Sequence, residues 1–329
     1  MSKLRLTLGC WNYDRTRGFL EGRIQPDGID LNYLNMPVEE TFFRMLRNRE
    51  FDVAEMSLSS YTVSLFKDSP FIAIPIFPSR FFRHSCIYVN ADSGIREPRD
   101  LIGKRIGNPE YQMTAPVWIR GVLSDEYGVP VNSVTYYTGG EEEPNREEKL
   151  KLDLPSDIRV ERIGPTQTLS AMLASGEIDA LYTARMPSSF HTSKGKVKRL
   201  FEDFVPVEQD YYRRTGIFPI MHTVVIRRDI YEQNRWVAQS LYKAFCQAQQ
   251  ETYHDLYETA ALKAMLPWLT AHVEEARREM GDDFWPYGFD KNRDTLATFL
   301  RYSFEQGLSK HLLQPEQLFA PETLEAFKI

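Results

Sequence analysis

Apolar and polar residues alternate from the start of the chain. Leu4, Leu6 and Leu8 are separated by Arg5 and Thr7, and the loop over 11–17 then offers Asp14 or Thr16 as a helix cap. Residues 28–34 alternate again, and 38–49 show helical spacing through Phe42, Phe43 and Leu46. A short strand over 51–55 runs into 56–61, where Ser59 or Ser60 can cap a helix reaching Phe66. Three such strand–helix alternations predict a parallel sheet. Residues 70–78 are apolar and punctuated by proline, and 81–89 read as a long strand. A second alternating region follows, with strands expected over 134–137, 158–163 and 178–182 and a helix over 166–175. Residues 216–226 form another long apolar run, after which Asp229 is expected to cap a long helix through Trp236, Leu241 and Phe245.

Two long strands, one entering and one leaving the second region, would make it an insertion in the first. The expected architecture is α/β: a two-lobed clamp with a double hinge, each lobe a mainly parallel sheet flanked by helices. The lobes are expected at 1–88 plus 223–329 and at 89–222. Ligands of open α/β sheets lie beyond the carboxyl ends of strands, so the loops over 11–17, 56–61, 107–114 and 182–187 are expected to converge on one cleft. Residues 139–157 carry many charges and no apolar stripe, and are expected to be an exposed excursion without chemistry.

Composition narrows the functional classes. Of 329 residues, 26% are charged and 42% apolar, which suits a soluble globular chain and predicts no membrane span. Forty basic against 46 acidic residues, with no basic run, argue against nucleic acid as a partner. Cys10, Cys86 and Cys246 are far apart and odd in number, so a disulfide framework is not expected. The first residues lack an apolar h-region, and the expected location is cytoplasmic. His191, His254, His272 and His311 show no metal-ligand spacing, and neither G-x-G-x-x-G nor a P-loop is present. No metal and no cofactor are therefore expected. Association into a homo-oligomer is compatible with the sequence.

One stretch concentrates candidate chemistry. Residues 103–120 read as a short strand, a turn at Gly107-Asn-Pro109 and a helix starting at Thr114, with Pro116 in its first turn. The free N–H groups there suit a carboxylate or phosphate, with Glu110, Tyr111 and Gln112 alongside.

Several motifs carry a family resemblance that runs from end to end. They are Tyr13-Asp-Arg-Thr16, Glu55-Met-Ser-Leu-Ser-Ser-Tyr61, Phe77-Pro-Ser-Arg80 with Phe82-Arg-His-Ser85, Glu110-Tyr-Gln-Met-Thr-Ala115, Tyr182-Thr-Ala-Arg185, Ile217-Phe-Pro-Ile-Met-His222 and Trp285-Pro-Tyr-Gly288. On these the chain resembles the 4,5-dihydroxyphthalate decarboxylase family, whose members are similar to type II periplasmic binding proteins. Trp11-Asn12 and Pro116 depart from the family's pattern. The resemblance implies cofactor-independent loss of carbon dioxide from an aromatic dicarboxylic acid; the same clamp without chemistry would be a solute-binding protein for an aromatic acid.

Such a substrate carries two adjacent carboxylates, each with a ring hydroxyl para to it. Arg15, Arg80, Arg83 and Arg185 fall in expected cleft loops, and a guanidinium can hold a carboxylate bidentately. Protonating the ring carbon that bears a carboxylate, with the para hydroxyl stabilising the cation, requires a positioned acid. His222 is the first candidate, with Glu110 and His84 as alternatives. Tyr13, Tyr111 and Trp118 are candidates to sandwich the ring, and Ser59 or Thr114 to bond a carboxylate or hydroxyl.

Overall fold

The computed structural model describes residues 2–325. Its strands, in chain order, are β1 (Leu4–Cys10), β2 (Ile29–Asn35), β3 (Val53–Ser57), β4 (Phe71–Arg80), β5 (Ile87–Asn90), β6 (Arg105–Asn108), β7 (Thr135–Thr138), β8 (Arg159–Arg162), β9 (Ala180–Tyr182), β10 (Val197–Arg199) and β11 (Ile220–Arg227). The chain divides into two compact units. One holds the residues up to Arg80, His222–Leu296 and those from Gln314 on; the other holds Phe81–Met221 and Ala297–Leu313.

The first unit's sheet has the order β2-β1-β3-β11-β4. β1 runs parallel to both β2 and β3, and β11 pairs antiparallel with β3. Leu6, Leu8, Ile29, Val53, Ile74, Val224 and Ile226 are buried and form much of its core. β4 carries Pro75 and Pro78 and lies at the end of the sheet order, the kind of place where strands tolerate proline. The register of β11 on β3 places Val224 opposite Glu55 and His222 opposite Ser57. With a side-chain period of two, His222 and Glu55 are diagonal neighbours on one face.

The second unit's sheet has the order β10-β5-β9-β6-β7-β8. β9, β6, β7 and β8 run parallel, and β5 is antiparallel to both β9 and β10. Tyr88, Leu169, Leu173, Ile178, Leu181 and Val197 form one core cluster. The helix Thr114–Tyr127 follows β6 and stops at Gly128, whose φ of 65° is the left-handed conformation that glycine adopts cheaply.

Three sequence expectations differ in detail. The unit boundaries fall at 80/81 and 221/222, and 297–313 groups with the second unit rather than the first. The reason is local packing on the Thr114–Tyr127 helix. Tyr302 lies so close over Gly121 that a Cβ there would sit 2.1 Å from its ring, Phe299 packs on Trp118, and Gln306 accepts from Arg120 Nε at 2.7 Å. Residues 81–89 are not one strand: a 3₁₀ turn at His84–Cys86 precedes β5. Phe82 stacks on Phe218 at 4.6 Å, and Arg83 turns back to Cys86 Sγ and the Ala184 carbonyl, so residues 82–86 are held by loop packing instead of by a pleat, while Phe81 is exposed. After β11 comes a short helix, Arg228–Gln233, and only then the long Trp236–Tyr257 helix.

Candidate active site

In the first unit a cluster of polar side chains centres on Glu55. Its carboxylate is completely buried. Oε1 lies 2.6 Å from His222 Nδ1 and accepts the Tyr13 hydroxyl at 2.5 Å, while Oε2 accepts the Trp11 N–H at 3.1 Å. Burial pushes the Glu55 pKa upward, but the hydrogen bonds from His222, Tyr13 and Trp11 together outweigh it and hold the carboxyl below its ordinary value. Burial, then the Glu55 charge, raises the Tyr13 hydroxyl far above its ordinary value, so it remains a donor. The His222 ring meets the Phe42 edge at 4.9 Å, and its side chain keeps 16% exposure. With Nδ1 engaged by a carboxylate, Nε2 is the ring atom left for chemistry.

Arg15 lies in the same cluster. Its guanidinium carbon sits 4.2 Å from the Tyr13 ring centroid and 4.3 Å from that of Trp285. Nε donates to the Pro78 carbonyl at 2.7 Å, Nη2 donates to the same oxygen, and Nη1 donates to Asp14 at 2.8 Å. The first unit thus brings Tyr13, Arg15 and His222 together. Ser59 is fully buried in the first turn of the Leu58–Ser64 helix, which Ser57 caps. Arg80 is engaged elsewhere, with Nη2 donating to Pro286 at 2.8 Å and to Asn292, a staple between β4 and the 286–292 segment.

In the second unit the expected residues take mostly structural places. Trp118 is fully buried and donates to the Ile220 carbonyl at 2.9 Å. Tyr111 is fully buried, with its hydroxyl on the Gln306 carbonyl at 3.0 Å and Arg120 over its ring at 4.0 Å. Neither offers a face to a ligand. Thr114 is the first residue of its helix, and the cap position belongs to Met113. Glu110 is completely buried and bridges Arg146 Nη2 at 2.5 Å, Lys149 Nζ and the Lys149 N–H at 3.1 Å. It anchors the 139–157 excursion, which is therefore not an idle surface loop. Gln112 is buried beside it, with its side-chain amide close to the Glu148 carboxyl. Arg83 donates to Met221 Sδ and Cys86 Sγ, and Arg185 is exposed on the loop after β9. His84 sits in a box of Tyr127, Phe201 and Tyr211, with both ring nitrogens buried and unpartnered. Burial, helped by Arg214, pushes its pKa down to about 4, so it is neutral near pH 7 and holds no proton to give.

Three residues matter that the sequence reading did not select. Glu55 stood inside a quoted motif; a lone acid in a strand flanked by Val53, Ala54 and Met56 was the available signal. Trp285 likewise stood in a motif without a role. Glu148 accepts the Tyr111 N–H at 2.5 Å, and burial followed by the Glu110 charge pushes its pKa up to about 7. Among the described residues, no group of three or more His, Cys, Asp or Glu side chains is placed to hold a metal ion, and no helix is long and apolar enough to cross a membrane.

Comparison with known proteins decides the family. The chain is 45% identical over 330 residues to a 4,5-dihydroxyphthalate decarboxylase of Comamonas testosteroni, covering all of both chains. The chain belongs to the 4,5-dihydroxyphthalate decarboxylase family. A relative of the same name from Pseudomonas putida is 47% identical over 214 residues, 65% of this chain and 83% of that one. No family model matches. Among solved structures, the periplasmic sulfonate-binding protein SsuA of Methylobacillus flagellatus KT superposes with a TM-score of 0.55 at 14% identity, covering 97% of this chain and 92% of that one. The Escherichia coli aliphatic sulphonate-binding protein SsuA gives 0.53 at 15%, covering 98% and 99%. The fold is thus that of the type II periplasmic binding proteins, with two mixed sheets flanked by helices.

Proposed function

We propose that the chain is a carboxy-lyase that converts 4,5-dihydroxyphthalate, the substrate in both relatives' names, to protocatechuate and carbon dioxide, with His222 as the proton donor. The observation that supports this role is the Glu55 carboxylate 2.6 Å from His222 Nδ1. A buried anion there holds Nδ1 and fixes the ring's orientation, so that Nε2 is the ring atom from which a proton is transferred. That proton goes to the ring carbon bearing the departing carboxylate. The para hydroxyl oxygen feeds electrons into the ring and carries the developing positive charge. The bond to the carboxylate carbon then breaks, its electron pair restores aromaticity, and carbon dioxide leaves. Solvent returns one proton to His222, which matches the one proton the net reaction consumes.

The carboxylate that stays needs a fixed cation, and Arg15 supplies it. Three of its five N–H groups are engaged by Pro78 and Asp14, leaving one on each terminal nitrogen. Those two can meet the two oxygens of a carboxylate. Tyr13 lies between the two functions, its ring under Arg15 and its hydroxyl on Glu55. Incubating the purified protein with 4,5-dihydroxyphthalate and following protocatechuate and carbon dioxide tests the reading. Stoichiometric release of both is expected; tight binding without turnover would replace it with the solute-binding alternative.

A further inference from the structure

We infer that Trp285 is a positioning residue for recognition of the ring dicarboxylate, acting through Arg15; the inference rests on Arg15 being the carboxylate anchor proposed above. Both the Tyr13 and the Trp285 rings pack on the guanidinium, at nearly equal distances of 4.2 and 4.3 Å. Its inner edge is tied to the Pro78 carbonyl, which leaves rotation out of the ring planes as the motion to be blocked. Two rings restrict that motion more than Tyr13 alone, and Trp285 is the second.

Trp285 is itself held from three directions. Its Nε1–H donates to the Phe77 carbonyl at 3.0 Å, its N–H donates to the Tyr253 hydroxyl at 2.9 Å, and its carbonyl accepts from Gln249 Nε2. Phe77 and Pro78 are adjacent on β4, so one strand end fixes both the indole and the edge of the guanidinium it covers. A smaller apolar side chain at 285 keeps the charge of Arg15 but frees its plane. A two-oxygen partner needs that plane fixed, and a single point contact does not. The wall therefore acts on the hold that Arg15 keeps on the carboxylate that stays, which a ring monocarboxylate lacks once its one carboxylate takes the place of the departing one, more than on the chemistry.

The readout is the ratio of inhibition constants for benzoate and phthalate, competing with substrate in wild type, Trp285→Leu, Trp285→Phe, Arg15→Ala and the Trp285→Leu, Arg15→Ala double variant. Trp285→Leu should lower the preference for phthalate by roughly five- to tenfold, the scale of a partly desolvated cation–π contact, and raise KM more than it lowers kcat. Trp285→Phe, which restores a ring face, should recover most of the preference. In the Arg15→Ala background the Leu substitution should change the ratio no further. A variant that is merely less stable would lose active enzyme without altering the ratio. If Arg15→Ala lowers the ratio but folded Trp285→Leu leaves it at the wild-type value, the role of Trp285 is overturned. If Arg15→Ala itself leaves the ratio unchanged, the Arg15 reading fails instead.

Discussion

Each unit sets a histidine and a buried carboxylate within its fold, and the two sets differ in their partners. In the first, His222 faces Glu55 and keeps 16% exposure; in the second, His84 faces only rings, with both nitrogens unpartnered. Glu55 collects two hydroxyl or backbone donors and a titratable ring, whereas Glu110 collects two permanent cations. An acid paired with a histidine can pass a proton; an acid clamped by arginine and lysine is a fastener. Residue types are the same in both; the partners differ, and so does the exposure of the histidine.

The largest effect expected from breaking this contrast is on turnover. His222→Gln should lower kcat by about 10²- to 10⁴-fold, the usual contribution of a positioned acid, while phthalate binding stays measurable. His84→Phe should leave kcat of the folded enzyme within a few-fold of wild type, and steady-state kinetics on both variants decides. Next is stability: Glu110→Gln removes the anion from two cations, so unfolding should cost about 3–5 kcal/mol less, seen as a fall in denaturation midpoint. A change in midpoint near zero would remove Glu110 as the excursion's anchor.

The smallest effects are pH slopes, and they run in opposite directions. His84 has an ordinary pKa of 6.5 and one near 4 in the fold, so the unfolded chain binds its proton first. Its stabilising contribution is present above about pH 6.5 and is lost as pH falls toward 4. Glu148 has an ordinary value of 4.5 and about 7 in the fold, so the folded chain keeps the proton longer. Its contribution is present below pH 4.5 and is lost as pH rises through 7. Measured against His84→Phe, the wild type should gain stability from pH 4 to 6.5; against Glu148→Gln it should lose stability from pH 4.5 to 7.

Much of the fold was legible because alternation and helical spacing are local signals. β1, β2 and β3 and the Val38–Asn48 helix follow from them directly. What escaped depends on partners distant in sequence. The 139–157 excursion shows no apolar stripe because charges hold it: Arg146 and Lys149 on Glu110, Glu142 on Ser188, and Glu148 on the Tyr111 N–H. Trp118 and Tyr111 looked like ring-binding aromatics until Phe299, Tyr302 and Gln306, far along the chain, enclosed them. His222 was legible as a candidate, but its partner was not, because pairing Glu55 with it requires the β3–β11 register.

Whether Glu55 and His222 work as one proton-handling unit is decided by a double-mutant cycle on kcat. Glu55→Gln and His222→Gln should each cost about 10²-fold or more, and the double variant should cost about as much as the worse single one, because removing either member already disables the pair. Losses that multiply in the double variant, or a Glu55→Gln enzyme that turns over within a few-fold of wild type, would contradict it.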